Sequence, residues 1–148
     1  MKIVIGSDHG GYELKDSLAA FLVEEGHEVR DLGTHSKESF DYPLIGFEVA
    51  KEVGSGRADR GVLICKTVVV MVIIANKVHG VRAAACYDVE MAKSSREHND
   101  CNVAVFAASY TDDKTARAIL KAWLTARHAG DRHARRVSQI KDIESKIK

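Results

Sequence analysis

Three short segments of this 148-residue chain concentrate side chains that move protons and hold anions. They are Gly6-Ser7-Asp8-His9-Gly10-Gly11, Ser95-Arg96-Glu97-His98-Asn99 and Asp131-Arg132-His133-Ala134-Arg135-Arg136. Histidine exchanges a proton near neutral pH, and an aspartate orients it or engages a hydroxyl. Arginine forks suit phosphate, and Arg132 and Arg136 lie one helical turn apart, so they can share a face. Cys65 adds a thiol that acts as a base where its local field favours thiolate. Oxygen charge that develops during such a proton transfer needs donors fixed beforehand. The three polar segments fit a sugar-phosphate site.

The surrounding pattern supplies the elements that position these groups. Lys2-Ile3-Val4-Ile5-Gly6 reads as a strand that ends in a glycine-rich turn. Leu14, Leu18, Phe21 and Leu22 then recur at helical spacing, and Gly26 supplies the stop. Further strands are expected over 27–32, 61–65, 81–86 and 102–107. Helices are expected over 43–53, 68–78 and 88–98, then from 112 and again after Gly130. This alternation predicts one α/β domain over 1–148, a three-layer sandwich on a mainly parallel five-stranded sheet. Ligand sites in such sheets lie beyond the strand carboxyl ends, which collects Asp8, His9, Cys65 and the residues after Ala107. His98 ends a helix that leads into a strand, so that rule does not bring it to the others. The last polar segment opens a helix, a position suited to an anion.

Composition excludes several classes. The 22 basic and 21 acidic residues nearly balance, which gives no electrostatic reason for a nucleic-acid or membrane partner. Met1 runs straight into a strand pattern rather than a leader, and the longest apolar run, 68–75, is too short to span a bilayer. Cys65, Cys86 and Cys101 form an odd, sparse set, which favours a reducing cytoplasmic setting over a disulfide scaffold. No metal-ligand spacing occurs among the seven histidines, and Gly6 to Gly11 lacks both the dinucleotide fingerprint and the P-loop lysine.

Taken in order, Asp8-His9, Cys65, His98-Asn99 and Arg132 to Arg136 give a chain that resembles the type B ribose-5-phosphate isomerases and the related galactose-6-phosphate isomerase subunits. The resemblance covers almost the whole sequence. It implies a Rossmann-like subunit in a homodimer or dimer of dimers, with active sites shared across the subunit boundary and the C-terminal helix packing on the partner. It further implies aldose–ketose interconversion of ribose 5-phosphate and ribulose 5-phosphate, with no metal or organic cofactor. By that resemblance Asp8 and His98 handle ring opening, Cys65 moves the proton between adjacent carbons, and Thr67 assists near the reacting end. Asn99 holds the opened sugar or enediolate, and His9, Arg132 and Arg136 bind phosphate.

The chain departs from that family in two loops. After the cysteine the family has Gly-Thr-Gly-hydrophobic-Gly, whose amides line an anion hole; here Lys66-Thr67-Val68-Val69-Val70 stands instead. Valine adds a branched side chain and resists positive φ, and a mobile ammonium at Lys66 does not replace fixed amides. Ala107-Ala108-Ser109-Tyr110-Thr111-Asp112 likewise replaces the family's Gly-Ala-Arg-hydrophobic-hydrophobic-Gly. The expectation is weakened turnover on a retained fold. A six-carbon sugar phosphate as substrate and an impaired sugar-phosphate-binding homologue stand as alternatives. Each fragment also has a plainer reading: a buried strand-end thiol at Cys65, helix caps at Asp8 and Asn99, and solvated charge at the arginines.

Overall fold

Apolar strands alternating with helices wind into a single parallel sheet in the computed structural model, which describes residues 1–36, 38 and 41–147, with the side chain of residue 42 outside that description. The strands are β1 (Lys2–Ser7), β2 (Glu28–Asp31), β3 (Arg60–Cys65), β4 (Ala83–Ala85) and β5 (Val103–Ala107). The helices are α1 (Tyr12–Glu24), α2 (Tyr42–Gly54), α3 (Val69–Ala75), α4 (Val89–Asn99), α5 (Asp113–Thr125) and α6 (Asp131–Glu144). Strand order is β2-β1-β3-β5-β4, with every pair parallel. The chain leaves β1 toward one edge and β3 toward the other, so the topological switch point lies between β1 and β3.

Strand side chains alternate between two buried layers, as a sheet covered on both faces requires. Val4, Leu63, Val103 and Val105 pack against Val49 and Ala50 of α2 and Met71 and Ala75 of α3. Ile3, Ile5, Val62, Ile64 and Phe106 pack on the opposite side against Leu18 and Leu22 of α1 and Ile119, Leu120 and Trp123 of α5. The result is the expected three-layer, Rossmann-like sandwich. Among the described residues no helix is long and apolar enough to cross a membrane.

Side-chain caps start two of the helices. Asp88 and Asp112 cap α4 and α5 by accepting from the amides of Met91 and Thr115 at 2.7 and 2.8 Å. Gly26, at φ 87°, closes α1 in the left-handed region that glycine enters at little cost. Helix α3 stops at Ala75, short of the 68–78 expected from its apolar run. Asn76 ends it, with its side-chain amide donating to the carbonyls of Val72 and Ala83 and accepting from the Ala83 amide. Strand β4 is likewise shorter than 81–86, because the Arg82 amide turns to the Asn102 side chain instead of the ladder.

A buried cation steadies the end of β1. Lys15 has no exposed side-chain area and pairs with Asp31 and, at 2.9 Å, with Asp16. Burial alone would lower its pKa; hydrogen bonds and charge from Asp31 and Asp16 raise it instead. Asp31 also accepts from the Gly33 amide at 2.8 Å. Gly33 in turn accepts from the Ser7 amide at 2.7 Å, and Thr34 donates to the Ser7 carbonyl at 2.9 Å. Both backbone groups of the residue before Asp8 are thereby held.

Candidate active site

The carboxyl ends of β1 and β3 bring Asp8, His9, Cys65 and Thr67 into one cleft. Asp8 is buried, accepts from the Gly11 amide at 2.9 Å through Oδ1, and donates its own amide to the Ile64 carbonyl at 3.2 Å. Gly11 is required there by close approach, since a Cβ would stand 2.9 Å from the Ile64 carbonyl oxygen. His9 is half-buried, and its Nδ1 is sealed from solvent without a hydrogen-bond partner among the described residues.

Cys65 is 2% exposed, and its Sγ donates to the Thr67 carbonyl at 2.8 Å. Burial, then the nearby Asp8 charge, push its pKa up from 9.0 to about 11, against the opposing pull of the Met71 and Thr67 backbone groups. The thiol is therefore protonated at neutral pH in the isolated subunit. Thr67 is exposed, and its hydroxyl accepts from the Val69 amide at 3.4 Å.

The replaced glycines leave no backbone strain. Residues 66 to 70 are absent from the positive-φ positions, and Val68 sits at φ −99°, ψ −13° as the N-cap of α3. The expected resistance of valine to positive φ is thus not the consequence here. Burial is: Val68, 6% exposed, packs in the same apolar cluster as Cys65 and Met71, with Val70 against it, while Val69 points outward at 59% exposure. The Lys66 stem lies over Gly10, where an added Cβ would meet Lys66 Cγ at 2.7 Å. The two atypical loops form one patch, because Ala108 and Ser109 donate their amides to the carbonyls of Cys65 and Lys66 at 2.8 and 3.1 Å.

The remaining predicted residues gather elsewhere. His98 and Asn99 end α4, and Arg132 and Arg136 lie in the first turns of α6. The two helices are joined where the His98 and His133 rings stack at 4.3 Å, 8° from parallel. The Ala129 amide and the His128 ring both reach the Glu97 carbonyl, at 2.9 and 3.0 Å. Burial, then the neighbouring His98, Arg132, Arg136 and His128, lower the His133 pKa. Arg132 and Arg136 are exposed and form no ion pair among the described residues.

This cationic cluster sits at the amino edge of the sheet. Asn102, three residues past Asn99, accepts from the Gly61 amide at 2.9 Å at the start of β3, whereas Cys65 ends that strand. Four residues of strand separate the two levels, about 13 Å at ~3.3 Å per residue. The chain therefore separates the predicted residues into two groups: Asp8, His9, Cys65 and Thr67 at the carboxyl edge, and His98, Asn99, Arg132 and Arg136 at the amino edge.

The arginines that fix the amino-edge cluster, Arg82 and Arg96, were not singled out from the sequence. Among the described residues no group of three or more His, Cys, Asp or Glu side chains is arranged to hold a metal ion.

Fold and site together define a doubly wound α/β protein with acid–base groups at its switch point and a separate cationic edge. The chain belongs to the Ribose/Galactose Isomerase family, whose model matches residues 3–140. It is 45% identical over 145 residues to ribose-5-phosphate isomerase B of Escherichia coli (strain K12), covering 98% of this chain and 97% of that protein. The solved ribose-5-phosphate isomerase B of Clostridium thermocellum is 51% identical, with a TM-score of 0.96 and 99% of each chain covered. That of Mycoplasma genitalium, solved with bound ribulose-5-phosphate, is 34% identical with a TM-score of 0.95, covering 99% of this chain and 97% of that one.

Proposed function

We propose that this protein interconverts ribose 5-phosphate and ribulose 5-phosphate at a site completed by a second copy of the chain. The observation that carries the reading is the division of acid–base and anion-binding groups between opposite edges of one sheet. Two copies related by a two-fold axis set the carboxyl edge of each against the amino edge of the other, giving two equivalent sites. The apolar residues Ile140, Ile143 and Ile147 stand exposed along and beyond α6, which supports packing of that C-terminal segment on the partner.

In this reading Arg132 and Arg136 of one copy and His9 of the other grip the phosphate. Asp8 and His98 relay the proton between the ring oxygen and the anomeric hydroxyl as the ring opens. Cys65, as thiolate, takes the proton from C2 of the aldose, leaving an enediolate whose oxygen is met by Asn99 and Thr67. The thiol returns its proton to C1 while the C2 hydroxyl proton passes to the C1 oxygen, so that the C2 oxygen becomes the ketose carbonyl and C1 carries the hydroxyl. No redox partner enters this balance. Catalytic impairment is the second reading, favoured by the buried, protonated thiol and the Lys66 stem over Gly10. The reading also places the protein in the cytoplasm, where free thiols persist.

The test is subunit complementation. Purified Cys65→Ala and His98→Asn are each incubated with ribose 5-phosphate, alone and after mixing and subunit exchange, and ribulose 5-phosphate is followed by NMR. Each alone is inactive. Random exchange makes half the dimers mixed, each with one intact site, so about a quarter of wild-type turnover returns. Inactive mixtures despite exchange would refute the shared site. An inactive wild type that still binds ribose 5-phosphate supports the impaired reading, with galactose 6-phosphate tested next.

A further inference from the structure

The helix end that presents His98 and Asn99 is held in an unusual way. Asp100, the residue after α4, occupies the left-handed region at φ 48°, ψ 44°. Glycine takes that conformation more cheaply. What glycine lacks is the carboxylate, and both oxygens of this one are in use. Oδ1 accepts from Arg96 Nη1 at 2.8 Å and Oδ2 from Arg82 Nη2 at 3.1 Å.

The two arginines are rooted in different parts of the fold. Arg96 is 5% exposed on α4, donates also to the Cys101 carbonyl at 2.7 Å, and lies 5.9 Å from the Trp123 ring of α5. Arg82 precedes β4 and reaches across to the end of α4. Its Nε donates to the carbonyls of Asn99 and Asp100 at 3.0 and 3.1 Å, and its Nη2 to the Asp100 carbonyl at 2.8 Å. Burial would raise the Asp100 pKa, but the Arg96 hydrogen bond and the Arg96 and Arg82 charges lower it, so the clamp stays charged at neutral pH.

We infer that Asp100 is a positioning residue: gripped by Arg82 and Arg96, it sets the direction in which the last turn of α4 delivers His98 and Asn99 to the facing half-site. His98 is exposed, so its other fixed contact, the stack on His133, is only as well placed as the helix end beneath it. The inference rests on the two-subunit isomerase reading above. The phosphate-binding arginines stand on α6, whose backbone tie to α4 is at the Glu97 carbonyl, upstream of the clamped residues, so a loosened α4 end misplaces the proton-transfer groups more than it disturbs phosphate capture.

Asp100→Asn, which tolerates the left-handed backbone but surrenders the charge, and Arg82→Met, which leaves the Asp100–Arg96 pair intact, test this below their melting temperatures. Both are expected to lower kcat by about tenfold to a hundredfold, the scale of an ångström-level misplacement, with KM for ribose 5-phosphate within about twofold. Mixed with Cys65→Ala, each recovers activity; mixed with His98→Asn, neither does. A general loss of stability does not sort with one half-site in this way.

The ring protons of His98 and His133 give a readout without turnover: the upfield shifts of a stacked pair are lost in both variants. Complementation between Cys65→Ala and His98→Asn that fails would overturn the shared-site reading. Success there, with unchanged kcat and intact ring shifts in Asp100→Asn and Arg82→Met, would overturn the positioning role alone.

Discussion

Replacing Val68 by glycine separates two jobs that this valine does at once. Its backbone, at φ −99°, suits glycine, so the change removes only the side chain. That side chain is 6% exposed and shares its cluster with Cys65 and Met71. Losing its buried carbons and adding glycine's freedom costs about 3 kcal/mol, or roughly 10 °C in Tm for a chain of this size. Burial is also the largest cause of the Cys65 pKa of about 11. Water admitted to the sulfur restores part of the solvation that the thiolate lacks. Each tenfold gain in thiolate corresponds to about 1.4 kcal/mol.

At pH 8 a thiol of pKa about 11 is about one part in a thousand thiolate. A fall of one pKa unit raises that fraction, and any turnover limited by it, about tenfold. Iodoacetamide alkylation of the Cys65 peptide, quantified by mass spectrometry across pH 7 to 11, reads the thiol directly beside melting and turnover. The expected variant melts lower and alkylates at lower pH. A lower melting temperature with an unshifted alkylation profile would refute the argument that Val68 keeps the base dry.

Gly11→Ala drives a methyl to 2.7 Å from Ile64 Cγ2 and 2.9 Å from the Ile64 carbonyl oxygen, the acceptor of the Asp8 amide. Overpacking of about 1–3 kcal/mol, seen as a drop in calorimetric Tm, should accompany reduced turnover as Asp8 moves relative to Cys65. The buried thiols predict alkaline sensitivity, since Cys65 and Cys101 are raised to about 11 and Cys86 to about 12 from 9.0. Below about pH 9 folded and unfolded chains keep these protons alike, and above it the unfolded chain releases them first, so stability is lost as pH rises through about 9 to 12. Urea midpoints at pH 8 and 10 measure the loss, and Cys86→Ala should flatten it.

The buried strands β1, β3 and β5 were legible in the sequence because each is a short apolar run bounded by polar or glycine-containing connections. Asp8, His9 and Cys65 could be placed together for the same reason, as the parallel-sheet rule puts the ends of β1 and β3 side by side. The end of α3 was not legible. Val68 to Ala75 is continuously apolar, and the helix stops where Asn76 finds the backbone of Ala83, a contact set by the tertiary fold. Arg82 carried no local signal either, since its partners lie 17 and 18 residues onward. Asp100 could have been found as an aspartate just past a helix end, where left-handed caps occur.

In the proposed dimer the two edges would have complementary electrostatics, which would let a thiol so poorly ionised in one subunit serve as a base. The carboxyl edge holds Cys65 beside Asp8, whose charge is the second largest cause of the raised pKa. Burial and the Asp8 charge both oppose thiolate there, and only the Met71 and Thr67 backbone groups favour it. The amino edge holds His98, His133, Arg132 and Arg136 with no carboxylate paired to either arginine among the described residues. In the proposed dimer Arg132 and Arg136 would stand across the cleft from Asp8 and Cys65. A single positive charge brought within ~6 Å at an effective dielectric of ~20 favours thiolate by about 3 kcal/mol, enough to move a pKa by about two. Pairing of the two edges in the proposed dimer would supply the field in which Cys65 ionises, so an isolated subunit is expected to be unreactive even with substrate held in place.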